Sequence, residues 1–193
     1  ILQIINAQDG ENRARPFDED DEKMMHHFAA IASVALERAQ MTRQIILRMI
    51  RMAELRDPKE TGAHVNRVAG YALEVYEQWA QRRNLRQQEM ERNRDILRMA
   101  AMLHDVGKVA ISDMILKKPA RLANDEFEIM KQHTVLGARL FLDRQSDFDN
   151  AAGQVALNHH ERWDGTGYPG HVDVATGRPL KEKDRKNGTA ASR

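Results

Sequence analysis

Asp95-Ile-Leu-Arg-Met-Ala-Ala-Met-Leu-His104-Asp105-Val-Gly107-Lys108 is the stretch on which the reading of this chain turns. Asp95 is placed to cap a helix that begins Ile96-Leu97-Arg98-Met99. That helix delivers a His-Asp pair, with a lysine four residues beyond the histidine. An ammonium at Lys108 is close enough to sit beside a phosphate, although a lysine at a helix end is ordinary on electrostatic grounds alone.

The neighbouring segments also read as helices. Residues 19–57 carry Met24, Phe28, Ile31 and Ala35 on one face, and Ile45, Met49 and Met52 continue the register past Arg38 and Thr42. Two core helices end to end would give this pattern, and so would a connector helix that pairs with a second copy. The run Asp18-Glu-Asp-Asp-Glu22 reads as a solvated helix start, because carboxylates complement the N-terminal dipole. Pro58 stops the helix. Residues 62–92 place Val65, Val68, Ala72, Val75 and Trp79 at helical spacing, with residues 80–94 as an exposed, charged turn region. Asn124 or Asp125 can cap a helix holding Phe127, Met130 and Leu136. Residues 151–162 read as another helix, running into the turn-rich Asp164-Gly-Thr-Gly167-Tyr168-Pro169-Gly170. Only residues 1–6, Ile-Leu-Gln-Ile-Ile-Asn, read as a strand, and a buried one. Residues 181–193 are polar and are expected to be disordered.

Composition agrees with a helical domain. The 193 residues are 41% hydrophobic, 31% charged and 5% aromatic, enough apolar content to bury a core. Net charge is +1, so no field of one sign points to nucleic acid or a membrane surface. There is no cysteine, which excludes disulfides, thiolate metal sites and cysteine nucleophiles. No apolar run approaches the roughly 18 residues of a transmembrane helix. The chain opens at Ile1 inside an apolar run and reads as an excerpt of a longer protein.

Chemistry concentrates in the histidines. Of eight, His26, His27 and His171 read as surface or interhelical polar residues. His64, His104, His133 and His159 are separated by 40, 29 and 26 residues, about one helix-loop-helix step each, and His160 follows at once. A helical bundle can aim one such residue per helix into its centre. Glu60 precedes His64 by four residues, Asp105 follows His104 and Glu161 follows His160. Burying five imidazoles and two carboxylates without partners is costly. A shared metal centre resolves that cost. Imidazole with carboxylate and no sulfur suits iron or manganese, with zinc also possible, and Asp105 has two oxygens with which to bridge two metals. Two metals several ångströms apart can activate water and steady an in-line displacement at phosphorus. Trp163 or Tyr168 could stack on a purine. The plain alternative makes Trp163 a core residue and the loop a simple turn.

Four segments, in order, resemble the HD-GYP domain of the HD phosphohydrolase superfamily: Glu60-Thr-Gly-Ala-His64-Val-Asn-Arg67, Leu103-His104-Asp105-Val-Gly107-Lys108, Lys131-Gln-His133-Thr-Val-Leu-Gly137, and His159-His160-Glu161-Arg-Trp-Asp-Gly165-Thr-Gly167-Tyr168-Pro169-Gly170. The resemblance covers about residues 55–180. It implies an all-α, HD-type bundle around two or three divalent metal ions, iron or manganese. It also implies hydrolysis of the bacterial second messenger cyclic di-GMP to the linear dinucleotide pGpG or to GMP. His64, His104, Asp105, His133, His159 and His160 would be metal ligands, with Asp105 bridging and Glu60 serving a third metal. Lys108 would contact the substrate phosphate. Gly167, Tyr168 and Pro169 would form the signature loop near the substrate, a loop also implicated in contacts with diguanylate cyclase (GGDEF) domains. The other reading of such a domain is a catalytically inactive module that binds metal or nucleotide and signals through protein contacts.

Residues 1–40 resemble the last strand and C-terminal helix of a GAF sensor domain, through Ile1-Leu-Gln-Ile-Ile-Asn6 and Pro16-Phe17-Asp-Glu-Asp-Asp21. The implied order is a GAF remnant at 1–40, a connector helix at 41–57, the HD-GYP domain at 58–180 and a tail at 181–193. The implied setting is a cytoplasmic, sensor-regulated signalling or two-component protein, dimeric through the connector. After Leu180 the family pattern continues with a helix that carries a further Asp ligand and substrate-binding basic residues. Residues 181–193 do not match that pattern.

Overall fold

The computed structural model describes residues 3–57 and 62–180. Glu60 and the tail at 181–193 lie outside the described residues. The chain divides into two compact units at Met49–Ile50.

The first unit opens with a small hairpin. Strand β1 (Ala7–Gln8) pairs antiparallel with β2 (Ala14–Arg15), Ala7 opposite Arg15 and Gln8 opposite Ala14. The turn between them is built by Asp9, whose Oδ1 accepts the N–H groups of Glu11 and Arg13, both at 2.9 Å. The short N-terminal strand therefore falls just after the apolar run expected to form it. Residues 3–6 carry no regular structure and are exposed, not buried, because among the described residues the hairpin has only two short strands and neither covers them. Asp18 then caps α1 (Glu19–Arg56), its Oδ1 accepting from the N–H groups of Asp20 and Asp21. The acidic run is the helix start, as its charge pattern predicts. His26 and His27 are exposed on it.

Among the described residues the second unit is helix and turn, with one antiparallel bridge between Val172 and Pro179. It comprises the end of α1, then α2 (Gly62–Arg82), α3 (Gln87–Met102), a 3-10 helix (Val106–Ala110), α4 (Asp113–Leu116), α5 (Asn124–Lys131), α6 (His133–Arg139) and α7 (Asp147–Asn158). Helix α3 packs on α2 and α7, and α6 packs on α7 and on the 3-10 helix. The buried stripes are rich in alanine: Ala69 and Ala80 on α2, Ala100 and Ala101 on α3, Ala138 on α6, Ala152 and Ala156 on α7. Small side chains let the helix axes approach closely and leave room for imidazoles between them.

Four sequence expectations shift. Helix α3 starts at Gln87, not Ile96, so Asp95 is interior to it and caps nothing. The Gln- and Glu-rich segment expected to be a turn is solvated helix, supported by a Gln87–Glu91 hydrogen bond one turn apart. On α2 the buried face runs through Val65, Ala69, Leu73 and Ala80, leaving Val75 and Trp79 exposed. The apolar set picked from sequence mixed that face with its edge. Helix α5 is preceded by Ala123, not capped by Asn124 or Asp125; the Glu126 carboxylate reaches back to the Ala123 N–H at 2.7 Å.

Candidate metal centre

The chain brings His64, His104, Asp105, His133, His159 and His160 together, and it does so at helix ends. His104 follows the end of α3, His133 opens α6 immediately after α5, and His159 caps α7. In each case the imidazole Nδ1 turns back to a carbonyl three residues earlier: Ala101 O at 2.8 Å, Met130 O at 2.7 Å and Ala156 O at 3.1 Å. Carbonyls in the last turn of a helix lack intrahelical partners and accept readily. An Nδ1 that donates makes Nε2 the lone-pair nitrogen of the neutral ring. The three helix C-termini also bring negative partial charge to one place, which favours a cation.

Those three Nε2 atoms converge on Asp105. His104 Nε2 lies 3.0 Å from Oδ2; His133 and His159 Nε2 lie 3.2 and 3.4 Å from Oδ1. His133 and His159 Nε2 are 3.2 Å from each other. The Lys108 ammonium, 2.9 Å from Oδ2, favours the charged form of the Asp105 carboxyl. It is an anion. Yet its Oδ1 is buried without a hydrogen-bond partner, so the His133 and His159 approaches to it are close but not aligned as hydrogen bonds. Neutral Nε2 lone pairs packed against a carboxylate repel one another unless a cation lies among them. Ligand atoms at about 2.1 Å from a common metal are about 3.0–3.4 Å apart at right-angle to tetrahedral bond angles. The observed separations match, so the donor set fits a divalent metal.

The donors form two groups that share one member. Asp105, His133, His159 and His160 make one; His64, His104 and Asp105 make the other. His64 sits near the start of α2, with its ring 5.6 Å from that of His104. His160 is the outermost, held 4.2 Å from the His159 ring. Burial first, then the neighbouring His159 and His133, pushes His160 down to about 4. It is thus a neutral base near pH 7, the form that binds metal.

The turn that carries His104-Asp105 is set by glycine. From Leu103 to Ile111 the backbone makes successive i to i−3 hydrogen bonds. A Cβ on Gly107 would fall 1.9 Å from His133 O and 2.4 Å from Gly137 N. Gly107 therefore lets the 3-10 helix lie directly against α6, fixing Asp105 beside His133. In this winding residues three apart eclipse, and Lys108 Nζ reaches Asp105 Oδ2 at 2.9 Å. Lys108 also meets Asp57 Oδ2 at 3.3 Å. Asp57 is buried, at a cleft it shares with Val65, Leu103, Asp105 and Lys108. Sequence reading missed Asp57, treating it only as the residue before the helix-stopping Pro58.

The glycine-rich loop borders the same centre. Tyr168 stacks on His160 with ring centroids 4.6 Å apart and an interplanar angle of 24°. Its N–H donates to His160 O at 3.2 Å. A Cβ on Gly167 would meet Arg162 N at 2.4 Å and His160 O at 2.5 Å. Glu161 accepts from the Gly170 N–H, so it holds the loop and is absent from both donor groups. Burial keeps the Tyr168 phenol raised, hence neutral. Trp163 is fully exposed, which overturns its reading as a core residue. His171 is exposed, as expected.

A family model described as the HD domain matches residues 61–190. The chain belongs to the HD domain family. Within the HD domain Asp105, next to His104, is the member common to both donor groups. Curated relatives include a cyclic di-GMP phosphodiesterase of Thermotoga maritima, 48% identical over 88 residues, 46% of this chain and 22% of the relative. A cyclic di-GMP phosphodiesterase response regulator of Xanthomonas campestris pv. campestris is 39% identical over 133 residues, 69% of this chain and 33% of the relative. A 3'3'-cGAMP-specific phosphodiesterase 2 of Vibrio cholerae is 35% identical over 140 residues, 72% of this chain and 25% of the relative. The chain thus matches a third or less of the length of these relatives. Among the described residues no helix is long and apolar enough to cross a membrane.

Proposed function

We propose that this HD domain hydrolyses cyclic di-GMP to pGpG and/or GMP at a centre of two or three divalent metal ions. The observation that carries this reading is the position of Asp105 in both donor groups. His133, His159 and His160 would hold one ion, His64 and His104 another, and Asp105 would bridge them. Glu60 would serve a third. All-nitrogen and oxygen donors favour iron or manganese. Such ions supply Lewis acidity at a phosphoryl oxygen and a water made acidic enough to react near neutral pH.

The side chains do the rest. The Nδ1 hydrogen bonds of His104, His133 and His159 keep their Nε2 lone pairs aimed at the centre. Lys108, drawn in by Asp57 and Asp105, places an ammonium where negative charge grows on the phosphate oxygens. Gly167, Tyr168 and Pro169 close one side of the site against His160 and contact the substrate. Names of the relatives support the substrate class, and the 3'3'-cGAMP-specific phosphodiesterase among them makes that dinucleotide the natural competitor in any assay.

We further infer the setting. Residues 1–40 are the end of a GAF sensor domain, residues 41–57 the connector, and residues 58–180 the HD-GYP domain of a cytoplasmic, two-component-type signalling protein. Exposed Met24, Phe28 and Ile31, and exposed Ile45, Met49 and Met52, support homodimer formation along α1. The loop at Gly167–Pro169 would meet GGDEF-domain partners.

The test is turnover of cyclic di-GMP by protein supplied with iron or manganese in the absence of air. Wild type should yield pGpG or GMP, and His104→Ala should yield neither. Equal turnover by the two proteins would remove this centre from the reaction.

A further inference from the structure

Helix α5 presents an unused aromatic and cationic surface beside the candidate centre. Phe127 meets Tyr168 edge-on, with ring centroids 6.2 Å apart at 82°, and Tyr168 in turn lies flat on His160. The aromatic series His160, Tyr168, Phe127 therefore leads outward from the donor cluster. Lys131 Nζ stands 5.2 Å from the Phe127 centroid and 5.8 Å from that of Tyr168. Phe127 stays 42% exposed, too much for a core anchor. One donor of Lys131 goes to Glu128 Oε1 at 2.6 Å, a mostly exposed partner on the same helix. Such a pair contributes little to folding.

This chemistry suits a purine with an acceptor edge. An exposed aromatic face stacks on any base. An ammonium donates to the O6 and N7 of guanine, whereas adenine places an amino donor where guanine has O6. We propose that Phe127 and Lys131 form the subsite for one guanine of the substrate, Phe127 by stacking and Lys131 by donating to its O6/N7 edge. The proposal rests on the cyclic dinucleotide reading above and adds a source of base selectivity to it.

The experiment is calorimetric titration of the metal-loaded protein with hydrolysis-resistant phosphorothioate analogues of cyclic di-GMP and cyclic di-AMP. Wild type should prefer the guanine ligand. Phe127→Ala should weaken binding by about ten-fold or more, and Phe127→Trp should retain it. Lys131→Met should reduce the preference for guanine over adenine by about ten-fold; a purely structural lysine would not move that ratio. Binding without base preference in wild type, no binding at all, or variants that bind as wild type does would overturn the subsite. Turnover of unmodified cyclic di-GMP on the same preparations separates the two readings. Binding that depends on Phe127 and Lys131, without hydrolysis by wild type, supports the subsite and sinks the phosphodiesterase reading. Hydrolysis with binding indifferent to both residues does the reverse.

Discussion

His133 and His159 hold their Nε2 atoms 3.2 Å apart while each donates Nδ1–H to a helix-end carbonyl three residues back. Two lone pairs so close, beside the anionic Asp105, are an unfavourable arrangement that a bound cation turns into a favourable one. Metal removal should therefore cost stability. A chelator is expected to lower the melting temperature of the metal-loaded protein, and restoring iron or manganese should recover it, because a ligand that binds only the native state stabilises it. Identical melting curves with and without chelator would contradict this.

Gly107 controls the placement of Asp105. With Gly107→Ala the added carbon would overlap the carbonyl of His133 and the backbone of Gly137, which cannot swing aside. Overpacking of this kind costs about 1–3 kcal/mol or more. The variant should melt at lower temperature and bind less metal. Gly70→Ala, at a glycine with open space around it, is the control and should do neither.

Lys108 and Asp57 divide a task. Lys108→Met should reduce turnover by about a hundred-fold, the loss typical of removing one charge-stabilising donor, while metal content stays near that of wild type. Asp57→Asn acts through Lys108, so it should lower kcat by roughly ten-fold or more with little change in KM. Steady-state kinetics with metal analysis on both variants would decide; loss of metal in either would make these residues supports of the centre.

Gly167 sets the stack of Tyr168 on His160. Gly167→Ala forces the loop off Arg162 N and His160 O. Substrate binding should weaken by about ten-fold or more, as stacking contacts of this kind are lost, with the metals retained. A KM equal to that of wild type would show that the loop does not touch substrate.

Much of this arrangement was legible in the sequence. His64, His104, Asp105, His133, His159 and His160 announced themselves by residue type and spacing, because a helical bundle that gathers so many imidazoles needs a shared partner for them. The helical class followed from periodicity. Capping and faces were harder. Residues 87–94 are polar apart from Met90, so their helicity comes from propensity and neighbours, not from an apolar stripe. Val75 and Trp79 lie near the buried stripe of α2 in projection, and only packing shows that they fall outside it. Asp57 was hidden for a different reason: its partner Lys108 is 51 residues away, and a carboxylate before proline gives no local sign of burial. The role of Gly107 was equally unreadable, since a close approach between two backbones leaves no periodic trace.

The most direct test of a shared Asp105 is metal stoichiometry per chain, measured on wild type and Asp105→Ala prepared with iron and manganese and without air. Wild type should carry two or more metal ions, and Asp105→Ala should lose at least one while remaining folded. One ion or none in folded wild type, or an undiminished count in Asp105→Ala, would contradict a centre bridged by that carboxylate.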